Sequence, residues 1–142
     1  VGVAGLVRDD EGRVLLLRHT YRPGRSWGLP GGGMHPGESL EECLQREMRE
    51  ETGLQIEISS LLSAAAHRDR KLVDMIFLCR LREGETLASF RPSAEVAEAR
   101  FFSLDNLPEE MSQGQRRLIF VAYGQAGQDK SFSFEPGLGD WF

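Results

Sequence analysis

A chain of 142 residues suits one compact domain with a core of its own. At 40% hydrophobic and 27% charged residues its composition is that of an ordinary soluble protein, and no apolar run reaches the ~18 residues of a membrane span. The formal net charge of −5 argues against a nucleic-acid binder, since an acidic surface repels phosphate backbones; handling small anionic phosphates would require metal cations or a local basic patch.

Residues 1–7, small and apolar, predict a buried strand, and Val14–Arg18 predicts a second. Asp9-Asp10-Glu11-Gly12 between them is a turn signal, so the pair reads as a hairpin. Arg18, His19, Arg22 and Arg25 form a basic patch that either meets substrate phosphates or is a solvated loop. Trp27 either stacks on a base or packs. Leu29-Pro30-Gly31-Gly32-Gly33 is a loop, and a helix is expected over about Leu40–Thr52. Further strands are expected at Leu54–Leu62, Leu72–Leu81 and Glu95–Leu104. His67-Arg68-Asp69-Arg70-Lys71 reads as an exposed turn. Asn106-Leu107-Pro108 turns the chain into a last helix at Gln115–Tyr123. Strands with interspersed helices give an α/β or α+β sandwich. The expected domain covers residues 1–125. Residues 126–142 form a tail that is either mobile or, through Phe132, Phe134, Trp141 and Phe142, docked on the domain or on a second copy in a homodimer.

The helix is the informative segment. Ser39-Leu40-Glu41-Glu42 is a capping box, and Gly53 can end the helix in a left-handed conformation. At about 100° per residue, Leu40, Cys43, Leu44 and Met48 form an apolar stripe that should face the core. Glu47 and Glu51 fall in the stripe's own sector and Glu50 at its edge. Arg46 and Arg49 lie well round the other side, so along the helix they are not expected to neutralise Glu47 and Glu51. Carboxylates turned towards a core call for cations, and hard oxygen ligands select magnesium or manganese over zinc. His19, His35 and His67 have no zinc-ligand spacing. Cys43 and Cys79 are far apart and read as buried free thiols, which fits a reducing compartment such as the cytoplasm.

Gly32, five residues, Glu38, seven residues, then Arg46-Glu47-Met48-Arg49-Glu50-Glu51-Thr52-Gly53-Leu54 resembles the Nudix box without a departure. The approach Trp27-Gly28-Leu29-Pro30-Gly31-Gly32, and the strand at Glu95–Phe102 followed by Leu107-Pro108, are also similar to that family. The resemblance implies an α/β/α sandwich around a mixed sheet. It implies hydrolysis of a nucleoside diphosphate linked to a moiety X, of the nucleoside triphosphate or nucleotide-sugar class. It also implies Mg2+, with Mn2+ as a substitute, held by Glu47, Glu50 and Glu51 beside the Gly32 loop. Glu38 and Arg46 would orient loop and helix. The proton acceptor stays open between Glu47 and, outside the box, Glu95 or Glu98. Subfamily markers after the box, a proline tied to ADP-ribose and a tyrosine tied to dinucleoside polyphosphates, are replaced by Asp69, Arg70, Lys71 and Leu72. The substrate contacts expected are Arg18, Arg25 and Trp27. The rival reading is a catalytically idle nucleotide-binding or regulatory module of the same fold.

Overall fold

The computed structural model describes residues 2–67 and 72–127. In chain order the elements are β1 (Gly2–Val7), β2 (Val14–His19), β3 (Trp27–Gly28), β4 (Gly31–Gly33), α1 (Leu40–Thr52), β5 (Ile56–His67), β6 (Leu72–Leu81), β7 (Val96–Phe102) and α2 (Gln113–Gly127). Short 3-10 turns at Leu87–Ser89 and Leu104–Asn106 flank β7.

The strands form two sheets. One is mixed, in the order β4-β1-β6-β5, with β1 parallel to β6 and the other pairs antiparallel. The other is antiparallel, in the order β3-β2-β7. Alternation along the strands sends side chains to opposite faces. Val3 and Val7 of β1 and Leu15 and Leu17 of β2 join Cys43, Leu44 and Met48 of α1 in one core. Ala4, Leu6, Val14 and Leu16 join Leu118, Ile119 and Ala122 of α2 in the other. The strands thus lie between one helix on each side, the expected α/β/α sandwich. Each fully buried Leu or Met contributes roughly 1.5–3 kcal/mol of transfer free energy, so these two layers carry the fold.

The predicted hairpin needs correction. The turn forms, with Asp9 accepting from the amides of Glu11 and Arg13 at 3.0 and 2.8 Å. Yet β1 and β2 touch through one bridge, Arg8↔Val14, and then enter different sheets. The edges of β1 are taken by β4 and β6 and those of β2 by β3 and β7, which leaves neither strand an edge for the other. The expected glycine loop also contains a short strand, β4, paired antiparallel to β1 as Gly2↔Gly33, Val3↔Gly32 and Ala4↔Gly31. The last helix begins before Gln115 and runs to Gly127, just past the expected domain edge.

Helix α1 occupies the predicted residues. Ser39 Oγ accepts from the Glu42 amide at 3.1 Å and the Glu42 carboxylate accepts from the Ser39 amide at 2.9 Å. Gly53, at φ 74°, closes the other end. Both cysteines are buried free thiols, as expected. Among the described residues no helix is long and apolar enough to cross a membrane. Residues 68–71 and the expected docking tail beyond Gly127 lie outside the described residues.

Candidate active site

Strand β4 crosses beneath α1 at very short range. A Cβ on Gly31 would stand 2.1 Å from the Val3 carbonyl oxygen, and one on Gly32 would stand 2.5 Å from the Glu47 carboxylate. At Gly31 only bare backbone fits, and at Gly32 a side chain would have to push the Glu47 carboxylate aside, so the loop's peptide groups reach the carboxylates of α1 directly. The Gly31 amide points at Glu51 Oε1, 3.4 Å away.

Arg46 is the hub of the box. Its Nε and Nη2 donate to the two oxygens of Glu38 at 2.6 and 3.0 Å, a bidentate pair. Nη2 also donates to the Gly33 carbonyl at 3.0 Å. Glu38 in turn accepts from the His35 amide at 2.7 Å, which ties the loop to the helix. These hydrogen bonds, Arg46 first, bring the Glu38 carboxyl down to about 2. The pair thus joins the loop that carries Glu38 to the helix that carries Arg46.

One expectation fails. Arg46 Nη1 also donates to Glu47 Oε1 at 3.0 Å and to Glu50 Oε2 at 3.1 Å. The helical wheel fixes only where Cβ points. Glu50, four residues on, shares Arg46's side of the helix, and the long arginine stem also bends round to Glu47, which the wheel turns about 100° away. So Glu47 and Glu50 have a counter-charge. Arg49 is not seen to join them, and Glu51 has no ion pair among the described residues.

The three carboxylates are graded in exposure. The Glu50 side chain is 57% exposed, Glu47 16%, and the whole Glu51 residue 5%. Burial, then the neighbouring Glu47 charge, raises the Glu51 carboxyl to about 8. Burial likewise raises Glu47, against the pull of Arg46. The charge of Glu95 adds to both. The Glu95 segment is pinned nearby: Thr20 donates its amide to the Glu95 carbonyl at 3.0 Å, Ser93 Oγ donates to the Glu51 carbonyl at 3.2 Å, and the Arg91 amide donates to the Thr52 carbonyl at 2.8 Å. Glu98 belongs elsewhere. It pairs with Arg18 at 3.2 Å and with Arg100. Burial pushes its carboxyl up, but the hydrogen bonds from Arg100 and Arg18 outweigh this and hold it below the usual range.

The expected substrate contacts also divide. Arg18 is engaged by Glu98. Trp27 is only 8% exposed and lies edge-on to Phe102, ring centroids 5.0 Å apart, so it is a core residue and offers no stacking face. The alternation of β2 and β3 puts both on the α2 side of the sheet, away from α1. Arg25 is exposed in the loop. His19 is buried with neither ring nitrogen paired, and burial, followed by the Arg22 charge, lowers it to about 4. Sequence reading passes over Tyr21 and Gln115. Tyr21 lies inside the basic patch, and its place among Arg18, His19, Arg22 and Arg25 is the available signal. Gln115 gives none; its Oε1 accepts from the Leu29 amide at 3.0 Å only because α2 folds back onto β3.

Among the described residues no three His, Cys, Asp or Glu side chains stand close enough to grip one ion as they are. The donor chemistry nevertheless fits a hard divalent cation. A buried carboxylate, Glu51, and a half-buried one, Glu47, adjoin a side-chain-free backbone cradle, and Glu50 is exposed enough to turn.

The family model described as the NUDIX domain matches residues 1–121. The chain belongs to the Nudix family. It is 34% identical to an ADP-ribose pyrophosphatase of Methanocaldococcus jannaschii, over 77% of this chain and 64% of that protein. It is 37% identical to an 8-oxo-dGDP phosphatase of Homo sapiens, over 75% of this chain and 33% of that one. The Nudix chain therefore spans between about one third and two thirds of these curated relatives. In fold it superposes on a Nudix hydrolase from Nitrosomonas europaea with a TM-score of 0.79, at 24% identity, covering 95% of this chain and 76% of the other.

Proposed function

We propose that this Nudix chain is a magnesium-dependent hydrolase of nucleoside diphosphate derivatives, cleaving the diphosphate linkage by attack of water on phosphorus in the cytoplasm. The observation that carries the reading is the buried Glu51 carboxylate, set beside Glu47 and Glu95 with no cationic partner of its own among the described residues, against a backbone that only glycine permits. Such a cluster is stable as carboxylates only when a cation joins it. Glu47, Glu50 and Glu51 with the Gly32 backbone would hold Mg2+, or Mn2+ in its place. When bound, the ion supplies positive charge that offsets the diphosphate and the charge developing on its oxygens.

The remaining chemistry belongs to the chain's own residues. Glu38 fixes Arg46, and Arg46 fixes the loop and the two more exposed carboxylates. Glu95, exposed and unpaired among the described residues, is the proton acceptor we assign for the attacking water. Glu98 is unsuited because two arginines stabilise its charged form and so make it a poor base. Relatives acting on ADP-ribose and on 8-oxo-dGDP by name, and a UDP-X diphosphatase of known structure at 26% identity, support a nucleoside diphosphate derivative as the substrate class.

The test is a substrate panel. ADP-ribose, a UDP-sugar, dGTP and 8-oxo-dGDP are incubated with the purified protein in water carrying a heavy oxygen isotope, with and without magnesium. The expected result is metal-dependent release with the label in a phosphate product. No release from any compound with magnesium or manganese overturns the enzyme reading in favour of an idle nucleotide-binding module.

A further inference from the structure

Two large hydrophobic side chains stand out as exposed among the described residues, Tyr21 at 54% and Phe120 at 51%. An exposed aromatic alone means little. Phe120 lies on α2, across the sheets from the carboxylates, and nothing around it indicates a ligand. Tyr21 differs in three respects.

First, its ring is held. It packs against buried His19 with centroids 5.5 Å apart at 61°, and the Arg22 guanidinium lies 5.2 Å from its centroid. Arg22 Nη2 also reaches the Tyr21 hydroxyl at 3.4 Å. A ring so braced has little rotamer freedom left to lose when it meets a ligand.

Second, Arg22 has no carboxylate partner among the described residues, unlike Arg13, Arg18, Arg46, Arg80 and Arg100. A cation left unneutralised at a site mouth is available to an anion.

Third, Arg22 lies along β3 in a loop that is fastened to the site. Its Nη1 stands 3.3 Å from where a Gly28 Cβ would be, so the missing side chain opens the slot it occupies. Two residues before Arg22, Thr20 donates its amide to the Glu95 carbonyl at 3.0 Å and its hydroxyl to the Ala94 carbonyl at 2.8 Å, which ties this loop to the Glu95 segment beside α1. Gln115 packs against the same glycine and has an unpaired, buried Nε2.

The geometry points to Tyr21 and Arg22 as a two-part nucleotide grip, with Tyr21 stacking on the base and Arg22 taking charge from the diphosphate. The charged end rests on the hydrolase reading above; the stacking end rests on the exposed ring itself. Because every base has a π-face, the grip reads a planar ring attached to a diphosphate and is tolerant of which base it is. It replaces Trp27 and Arg18 in the roles that the sequence suggested for them.

The test uses two ligands that cannot be turned over, the α,β-methylene analogue of GDP and methylenediphosphonate. Each is titrated calorimetrically into the full chain with magnesium present. Replacing Tyr21→Ala should weaken the GDP analogue about 5–150-fold and methylenediphosphonate by less than about twofold. Tyr21→Phe should keep most of the affinity for the GDP analogue. Arg22→Gln should weaken both ligands together, by roughly 10-fold or more. An equal loss for both ligands in Tyr21→Ala, or no loss for either, overturns the grip. Neither ligand is hydrolysed, so the stacking is tested even in a protein that fails every turnover assay.

Discussion

Two glutamates on opposite faces of the sandwich meet opposite fates. Glu98, on the α2 side, stands between Arg18 and Arg100 and is held in its charged form. Glu51, on the α1 side, is sealed at 5% exposure beside Glu47 and is pushed to about 8. The residue type is the same. What differs is whether the fold supplies a counter-charge. Where it does, the carboxylate is a surface ion pair of small worth. Where it does not, the chain holds a carboxylate that is costly until a cation arrives, and that imbalance marks the candidate site.

The largest expected effect comes from removing the imbalance. Glu51→Gln should cut diphosphate hydrolysis roughly 10²–10³-fold or more. It should also stabilise the metal-free protein at neutral to alkaline pH. The folded pKa of Glu51 is raised, so its favourable contribution is complete below the unfolded value of 4.5 and is lost as pH rises through about 8. The melting temperature of the metal-free wild type should therefore fall across that window, by the equivalent of a few kcal/mol at most, while the Gln variant stays flatter. If wild type and variant melt in parallel from pH 5 to 9, the contrast with Glu98 is lost.

A smaller effect is expected one step from the carboxylates. Glu38→Gln removes the bidentate anchor of Arg46 without touching Glu51. Magnesium affinity, read by calorimetry, should fall about 10–100-fold, the usual cost of losing an outer partner. Unchanged affinity would mean that Arg46 positions nothing that the metal uses.

Ser39→Ala tests the well-satisfied end of the same helix. Loss of the cap should cost ~1 kcal/mol in urea unfolding, with little change in pH dependence. The smallest effect belongs to Glu98→Gln, about 1 kcal/mol or less in stability and within about twofold in turnover. A large loss of turnover in that variant would move the proton acceptor from Glu95 to Glu98.

Much of this is readable in the chain. The capping box, the stripe and Gly53 define α1 because they are local: each rests on residues three or four apart on one helix. The sandwich follows from strand and helix alternation, and the box residues from their spacing. The hairpin at Asp9–Gly12 does not extend past its first bridge because a turn signal says nothing about the partners each strand takes beyond it. The contact of Arg46 with Glu47 escapes the helical wheel because side-chain reach is not part of a wheel, whereas that with Glu50 is the i,i+4 pair a wheel brings together.

The Nudix box, the helix that carries it and the acidic character of one helix face are all properties of the chain's residue order. Which charges are compensated is a property of the folded molecule. Folding set Arg18 and Arg100 on Glu98, turned Trp27 into the core and left Tyr21 outside beside Arg22. It also fastened the segment that leads to Glu95 onto the end of α1, through Ser93 Oγ on the Glu51 carbonyl and the Arg91 amide on the Thr52 carbonyl. The reason is physical. Hydrogen bonds and periodicity act over a few residues of chain, whereas burial and Coulomb interactions depend on distance in space, which folding alone fixes.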